Sequence, residues 1–299
     1  MTPVRCGVLP VRPGTSPPTA DPAGYPSRPP PPGRHRLTGA TCAATPGSPG
    51  TLRPGTGDGA PWPRALDTPA DGAFDLWLLH TPDPWLPTPL DLSPLDERER
   101  GRAASFTRPA DRGRYAAAHL MLRRILGAYL DLAPAAVRFV REACPCCGEP
   151  HGRPAVSAPG APHFSMSHGG NLVLIGVATA PVGVDTEQLP AAHTVSEVSA
   201  ALHPAERREI MAAPAARRAA VFTRLWVRKE AYLKGLGTGL GRSPDLDYLG
   251  NGGPSAPRWP AGWTIVDVPV GAGHAAAAVR GKLNSRYEVR RLDPEGLTA

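Results

Sequence analysis

The chain carries 299 residues and a formal net charge of +7. A basic balance of this kind suits a polyanion, whether nucleic acid, a polyphosphate cofactor or an acidic protein, and does not choose among them. No stretch approaches the roughly 18 to 20 apolar residues of a membrane span, and the first residues lack the apolar core of a signal peptide, so a soluble, cytoplasmic protein is expected.

Of the 39 prolines, 17 fall within the first 72 residues. With Pro29-Pro-Pro-Pro32 and repeated Gly-Thr and Gly-Ser steps, that stretch has too little apolar surface to offset the entropy of ordering it, and residues 1–72 are expected to be disordered. A linker, or a start codon read too far upstream, accounts equally for such a tail. The rest of the chain is ample for a core, as one domain or as two fused halves.

Phe74-Asp-Leu-Trp-Leu-Leu79 reads as a first or edge strand. A helix is expected to open near Ser93-Pro94, with Ser as N-cap and Pro at the first helical position. From Asp111 to Leu130, Tyr115, Ala118, His119, Leu122, Ile125, Leu126 and Tyr129 recur at three- and four-residue steps, which predicts a helix with one buried face. Arg98, Arg100, Arg108 and Arg112 are expected on solvated or partner-facing helix surface. Val137–Arg141 alternates as a strand and Leu172–Ala178 reads as a buried one. Pro181–Glu187 follows after a tight turn, so these last two are expected to pair as a hairpin.

Helical stretches follow near Val195–Leu202 and Pro204–Ala212, then a long helix from about Ala215 to Gly235. Strands at Trp263–Val268, His274–Val279 and Tyr287–Leu292 close the chain. Each half runs helices first and strands after, which favours an α+β fold with mainly antiparallel sheets over a doubly wound parallel sheet. The halves are expected at residues 73–180 and 181–292.

The chemistry concentrates in two runs. In Pro181-Val-Gly-Val-Asp-Thr-Glu187, a strand's period of two sends Val182 and Val184 to one face and Gly183, Asp185 and Glu187 to the other, placing two carboxylates on a wet cleft face. In Trp226-Val-Arg-Lys-Glu-Ala-Tyr-Leu-Lys234, read as a helix, Trp226, Glu230 and Lys234 are spaced by four and share one side, with Trp226 packing at the foot of the helix. Three hard oxygens and an ammonium suit a magnesium ion holding phosphates. The 33 basic residues include only three lysines, Lys229, Lys234 and Lys282, and two of them stand in this run. Keeping a compact point charge in an arginine-rich chain suggests positions where a planar fork does not serve. Gly152-Arg153-Pro154 presents a further cation, and Phe164-Ser-Met-Ser-His-Gly-Gly170 offers hydroxyl and imidazole groups just before the buried strand.

Taken in order, Arg114-Tyr-Ala-Ala-Ala-His-Leu-Met-Leu-Arg-Arg124, Gly152-Arg-Pro154, Phe164-Ser-Met-Ser-His168, Val182-Gly-Val-Asp-Thr-Glu187 and Trp226–Lys234 resemble the 4′-phosphopantetheinyl transferases of the surfactin-synthetase-activating type. The resemblance covers about residues 74 to 290. It implies a pseudo-dimeric monomer of two similar halves, each with helices packed on a mainly antiparallel sheet and coenzyme A lying between them. It also implies transfer of the phosphopantetheine arm to a serine of an apo acyl or peptidyl carrier protein, leaving adenosine 3′,5′-bisphosphate. Carried over residue by residue, Asp185, Glu187 and Glu230 would bind Mg²⁺, Glu230 would also deprotonate the serine, and Lys234 would hold the pyrophosphate. Arg102, Arg114, Arg153, Ser167, His168 and Lys229 would meet coenzyme A, His168 near its 3′-phosphate. Arg153 stands where the family more often has lysine, and Ser165 where it usually has asparagine.

Two other readings of the residues compete. A Mg²⁺-dependent nuclease also uses an acidic pair and a lysine, commonly as Glu-x-Lys on one strand, whereas here Gln188-Leu189 follows Glu187. A non-catalytic nucleic-acid-binding module would rest on the arginines and be indifferent to Asp185. Cys144-Pro-Cys-Cys-Gly-Glu-Pro-His151 stands apart from all of these. Cys144-x-x-Cys147 with His151 is half of a zinc pattern, while a closed structural site takes four ligands and usually two separated pairs. A plain reduced loop is the simplest reading, with metal binding and redox chemistry as alternatives.

Overall fold

The computed structural model describes residues 62–81, 90–253, 255–271, 273–281, 287–292 and 294–297. The expected disorder of residues 1–72 therefore lies outside the described residues as far as position 61, as does Lys282. From Trp62 onward the chain lies along the first half. The Leu66 N–H donates to the Ala128 carbonyl at 2.9 Å, and the Arg124 guanidinium sits 5.4 Å from the centre of the Trp62 ring.

The first strand, β1 (Phe74–His80), leads to two helices, α1 (Glu97–Ala104) and α2 (Pro109–Leu130). The cap of α1 is Asp96 and not Ser93. Its carboxylate accepts from the Glu99 N–H while Glu99 accepts from the Asp96 N–H, a reciprocal capping box that leaves Ser93 bonded only locally to Asp91. Such a cap stabilises the helix by about 0.5–2 kcal/mol, which a serine followed by proline three residues earlier does not match. Helix α2 also differs from its pattern. It is buried on nearly every side from Tyr115 to Tyr129, because its small residues Ala116, Ala117 and Ala118 pack as closely as its large ones.

A short hairpin, β2 (Phe139–Arg141) and β3 (Pro154–Val156), precedes β4 (His163–Gly169), β5 (Leu172–Ala178) and β6 (Val182–Glu187). Then come α3 (Ala192–Val198), α4 (Pro204–Ala212), α5 (Arg218–Leu236), β7 (Trp263–Val268), β8 (His274–Arg280) and β9 (Glu288–Leu292). The larger sheet runs β4-β5-β1-β9 and a second runs β6-β8-β7. All pairings are antiparallel except β1 with β9. The mixed α+β class is as expected, but the closing strand β9 returns to the first sheet beside β1.

The expected hairpin of β5 with β6 does not form. β5 is already paired on both edges, by β1 and β4, so the chain after Ala178 crosses to the second sheet and β6 stacks on the face of β5. Gly176 makes room for it: a Cβ there would lie 2.7 Å from a methyl of Val184 and 3.3 Å from one of Val182. Leu76, Leu78, Leu174, Val182, Val184 and Ala277 fill the space between the sheets. Helix α2 covers the outer face of the first sheet and α5 the outer face of the second. The result is four layers, helix, sheet, sheet, helix, each burying its apolar face against the next. Among the described residues no helix is long and apolar enough to cross a membrane.

Candidate active site

The site forms where β4, β6 and α5 meet. Ser165 and Ser167, two apart, leave β4 on the same face and both reach β6. Ser165 Oγ accepts the Val184 N–H at 3.1 Å, and Ser167 Oγ donates to Asp185 Oδ1 at 2.8 Å. These two hydroxyls join the edges of two different sheets, a role that the sequence pattern around Phe164 did not assign to Ser165.

Helix α5 approaches β6 backbone to backbone. A Cβ on Gly183 would fall 1.9 Å from the Ala231 carbonyl oxygen and 2.4 Å from the Gly235 nitrogen. Glycine is thus required at 183 by space alone. The same face of β6 that carries Gly183 carries Asp185, so the close approach delivers Lys234 to it. Lys234 Nζ donates to Asp185 Oδ1 at 2.7 Å and to Ser167 Oγ at 3.2 Å. Ser167, Asp185 and Lys234 therefore form one hydrogen-bonded cluster.

Asp185 is only 4% exposed, which corrects the expectation of a wet face, and its Oδ2 atom is buried with no hydrogen-bond partner among the described residues. A buried carboxylate oxygen left unpaired is costly. A hard divalent cation at Oδ2 would meet that cost, so the donor chemistry here fits Mg²⁺. Glu187, on the same strand face two residues on, and Glu230, one turn before Lys234, are half-buried. Their donor atoms and those of Asp185 are not drawn within 4.8 Å of one another. Three carboxylates repel, and the positive charge next to Asp185 is the Lys234 ammonium.

Arg153 comes from the opposite side, at the end of the β2–β3 connection. Its Nη1 donates to the Gly235 carbonyl at 2.7 Å, and its Nε and Nη2 donate to Glu142 Oε2 at 3.0 and 2.5 Å. A guanidinium on the C-terminal carbonyls of α5 is favoured by the helix dipole. Gly237 ends that helix in the left-handed region, φ +82°, and a Cβ there would lie 2.9 Å from Arg153 Cγ. Arg153 and Lys234 thus share one end of α5. His168 is exposed at the far end of β4.

Arg102 and Arg114 are held at the junction of α1 and α2. The Arg102 guanidinium lies 4.8 Å from the centre of the Phe106 ring, and Arg114 pairs with Asp111 at 2.9 Å. Phe106 packs on Tyr115, which stacks on His119. Arg98, Arg100, Arg108 and Arg112 are exposed, in agreement with their reading as surface. Trp226 is half-buried and stacks on Phe222 at 5.9 Å.

Lys229 is not at this site. It is 1% exposed, and its ammonium is 2.9 Å from Glu206 Oε1 and also donates to the Asp247 carbonyl. Glu206, itself fully buried, caps α4 through the His203 N–H and accepts the Leu249 N–H. Burial pushes the Glu206 pKa up and that of Lys229 down, and their mutual attraction offsets this only in part. Residues five apart lie about 140° around a helix from one another. A helix that turns Lys234 to β6 therefore turns Lys229 toward α4, whereas Glu230, four before Lys234, stays on its side.

A partly buried ammonium beside a buried carboxylate with an open oxygen, where the edges of two sheets meet, suits chemistry on phosphate groups. Comparison with known proteins agrees. Residues 181–251, from β6 through α5, match the model of the 4′-phosphopantetheinyl transferase superfamily. The chain is 31% identical over 194 residues to the 4′-phosphopantetheinyl transferase HetI of Nostoc sp., covering 62% of this chain and 79% of HetI. It is 25% identical over 150 residues to a 4′-phosphopantetheinyl transferase of Bacillus subtilis, covering 50% of this chain and 63% of that protein. A Synechocystis sp. relative, 31% identical over 169 residues, is matched over 55% of this chain and 65% of its own length. The chain belongs to the 4′-phosphopantetheinyl transferase superfamily and is a transferase.

Proposed function

We propose that this protein moves the 4′-phosphopantetheine arm of coenzyme A onto a serine of an apo acyl or peptidyl carrier protein, acting as a cytoplasmic monomer. The observation that carries this reading is the Ser167–Asp185–Lys234 cluster with its unpartnered buried oxygen, Asp185 Oδ2. Family membership supplies the reaction class.

Asp185, Glu187 and Glu230 would hold Mg²⁺. Held there, such an ion would supply Lewis-acid chemistry, offsetting negative charge on the phosphates. The chain's own residues do the rest. Lys234, oriented by Asp185 and Ser167, places a point charge on the pyrophosphate and favours the transition state where charge builds. Glu230 accepts the proton of the carrier serine as its oxygen forms a bond to the phosphorus on the pantetheine side. The bond from that phosphorus to the bridging oxygen breaks, and adenosine 3′,5′-bisphosphate departs. Arg153 stands beside Lys234 to meet nucleotide phosphate, His168 offers its imidazole to the 3′-phosphate, and Arg102 and Arg114 extend the cationic rim. The exposed arginines of α1 and α2 suit an acidic carrier surface.

Intact mass spectrometry of an apo carrier protein, incubated with this protein, coenzyme A and Mg²⁺ with and without chelator, tests the proposal. A gain equal to one phosphopantetheine arm that disappears on chelation supports it. No gain across acyl and peptidyl carriers, from protein shown to bind coenzyme A, would sink it.

A further inference from the structure

Outside the active site, the connection from β2 to β3 folds into a tight loop that gathers sulfur and imidazole. Cys144, Cys147 and His151 bring their ligand atoms within 4.8 Å of one another, the one such group of three His, Cys, Asp or Glu side chains among the described residues. Cys147 Sγ lies 3.0 Å from His151 Nε2. None of Cys144, Cys146 and Cys147 is in a disulfide.

The backbone builds this convergence. The Gly148 N–H donates to the Cys144 carbonyl at 2.8 Å, and the Cys144 N–H donates to the Glu149 carbonyl at 2.7 Å. Gly148 takes φ +78°, which a side chain would resist, and so reverses the chain directly after Cys147. The His151 N–H donates to Glu149 and the Gly152 N–H to Glu142, which turns the chain back toward Cys144. Two cysteines three apart on such a turn face a common point, the arrangement that a tetrahedral soft-ligand site needs.

We propose that Cys144, Cys147 and His151 bind a zinc ion, with water at the fourth position. Zn–S bonds of about 2.3 Å and Zn–N bonds of about 2.0–2.1 Å place donor atoms roughly 3.5–3.8 Å apart. The three ligand atoms already lie within 4.8 Å of one another, and the ion would replace the 3.0 Å contact of Cys147 with His151 by opening it about half an ångström. Two thiolates balance the charge of the ion, their protons passing to solvent, and sulfur with imidazole selects zinc over the hard cation suited to Asp185. Cys146 lies outside the ligand group. The ion fastens the loop from which Arg153 leaves. Gly152 is locked immediately after His151, where a Cβ would stand 2.7 Å from the carbonyl oxygens of Glu142 and Ala143, and Arg153 then reaches the end of α5. The assignment is independent of the transferase reading.

The test is metal analysis of the full chain, expressed in zinc-replete medium and purified in reducing buffer, with cobalt substitution read by its absorption spectrum. Wild type and Cys146→Ser are expected to carry about one zinc per chain and, with cobalt, a tetrahedral thiolate spectrum. Cys147→Ser and His151→Ala should lose most of the metal while keeping their circular dichroism, because both side chains are exposed and contribute little packing. Wild type without zinc, a Cys144–Cys147 disulfide in the purified protein, or zinc retained undiminished in Cys147→Ser would each overturn the assignment.

Discussion

Gly183 and Ala231 touch without a side chain between them: a Cβ on Gly183 would stand 1.9 Å from the Ala231 carbonyl oxygen. Strand β6 and helix α5 can lie this close only with glycine at 183, and the reach of Lys234 to Asp185 depends on that spacing. Gly183→Ala is expected to push the helix away, to cost about 1–3 kcal/mol as an overpacking change, and to lower transferase activity further than the lost stability explains. Activity per folded molecule, measured well below the melting temperature, checks this. Activity that merely tracks the folded fraction would show that the spacing is structural only.

Removing either charge of the central pair should separate chemistry from stability. Asp185→Ala and Lys234→Ala are expected to abolish measurable transfer, with circular dichroism and coenzyme-free folding retained, since Lys234 is only partly buried. Retained transfer in Asp185→Ala would remove this carboxylate from the proposed metal site.

Lys229 should behave in the opposite way. Its partner Glu206 is fully buried, so Lys229→Ala leaves a carboxylate uncompensated and is expected to destabilise by about 3–5 kcal/mol. Denaturant midpoints should fall sharply, while the folded fraction keeps near-normal turnover. Wild-type stability with lost turnover would return Lys229 to the cofactor.

Glu99 predicts a limb of acid sensitivity. Burial raises its pKa, but the His119 hydrogen bond and charge, the Asp96 N–H and the Arg123 guanidinium outweigh it and hold the carboxyl below its ordinary 4.5. The folded pKa is then lower than the unfolded one, so the network contributes fully above about pH 4.5 and loses its contribution as pH falls through the folded value. Denaturant midpoints across this range should fall less steeply for Glu99→Gln than for wild type. Equal slopes would locate the acid sensitivity elsewhere.

Residue spacing made much of this protein legible in advance. The period of two in Val182–Glu187 separates Val182 and Val184, which fill the space between the sheets, from Gly183 and Asp185, which face α5. The four-residue step from Glu230 to Lys234 keeps these two on one side of their helix. Such local periodicities follow from backbone geometry and hold wherever the element packs. Ser93-Pro94 and Asp96-x-x-Glu99 are both legitimate helix starts, and only the closure of the reciprocal hydrogen bonds favours the second.

Tertiary structure decided what spacing alone could not. Whether Leu172–Ala178 and Val182–Glu187 pair edge to edge or stack face to face depended on which strands already occupied the edges of β5. That Ser165 bonds β6 and that Lys229 turns to Glu206 and Lys234 to Asp185 are relations between segments whose separation the sequence does not state. The chain by itself determined the elements, their faces and the residue types available for phosphate chemistry. The packing of one backbone against another, set by volume at Gly176 and Gly183, decided which of those residues meet.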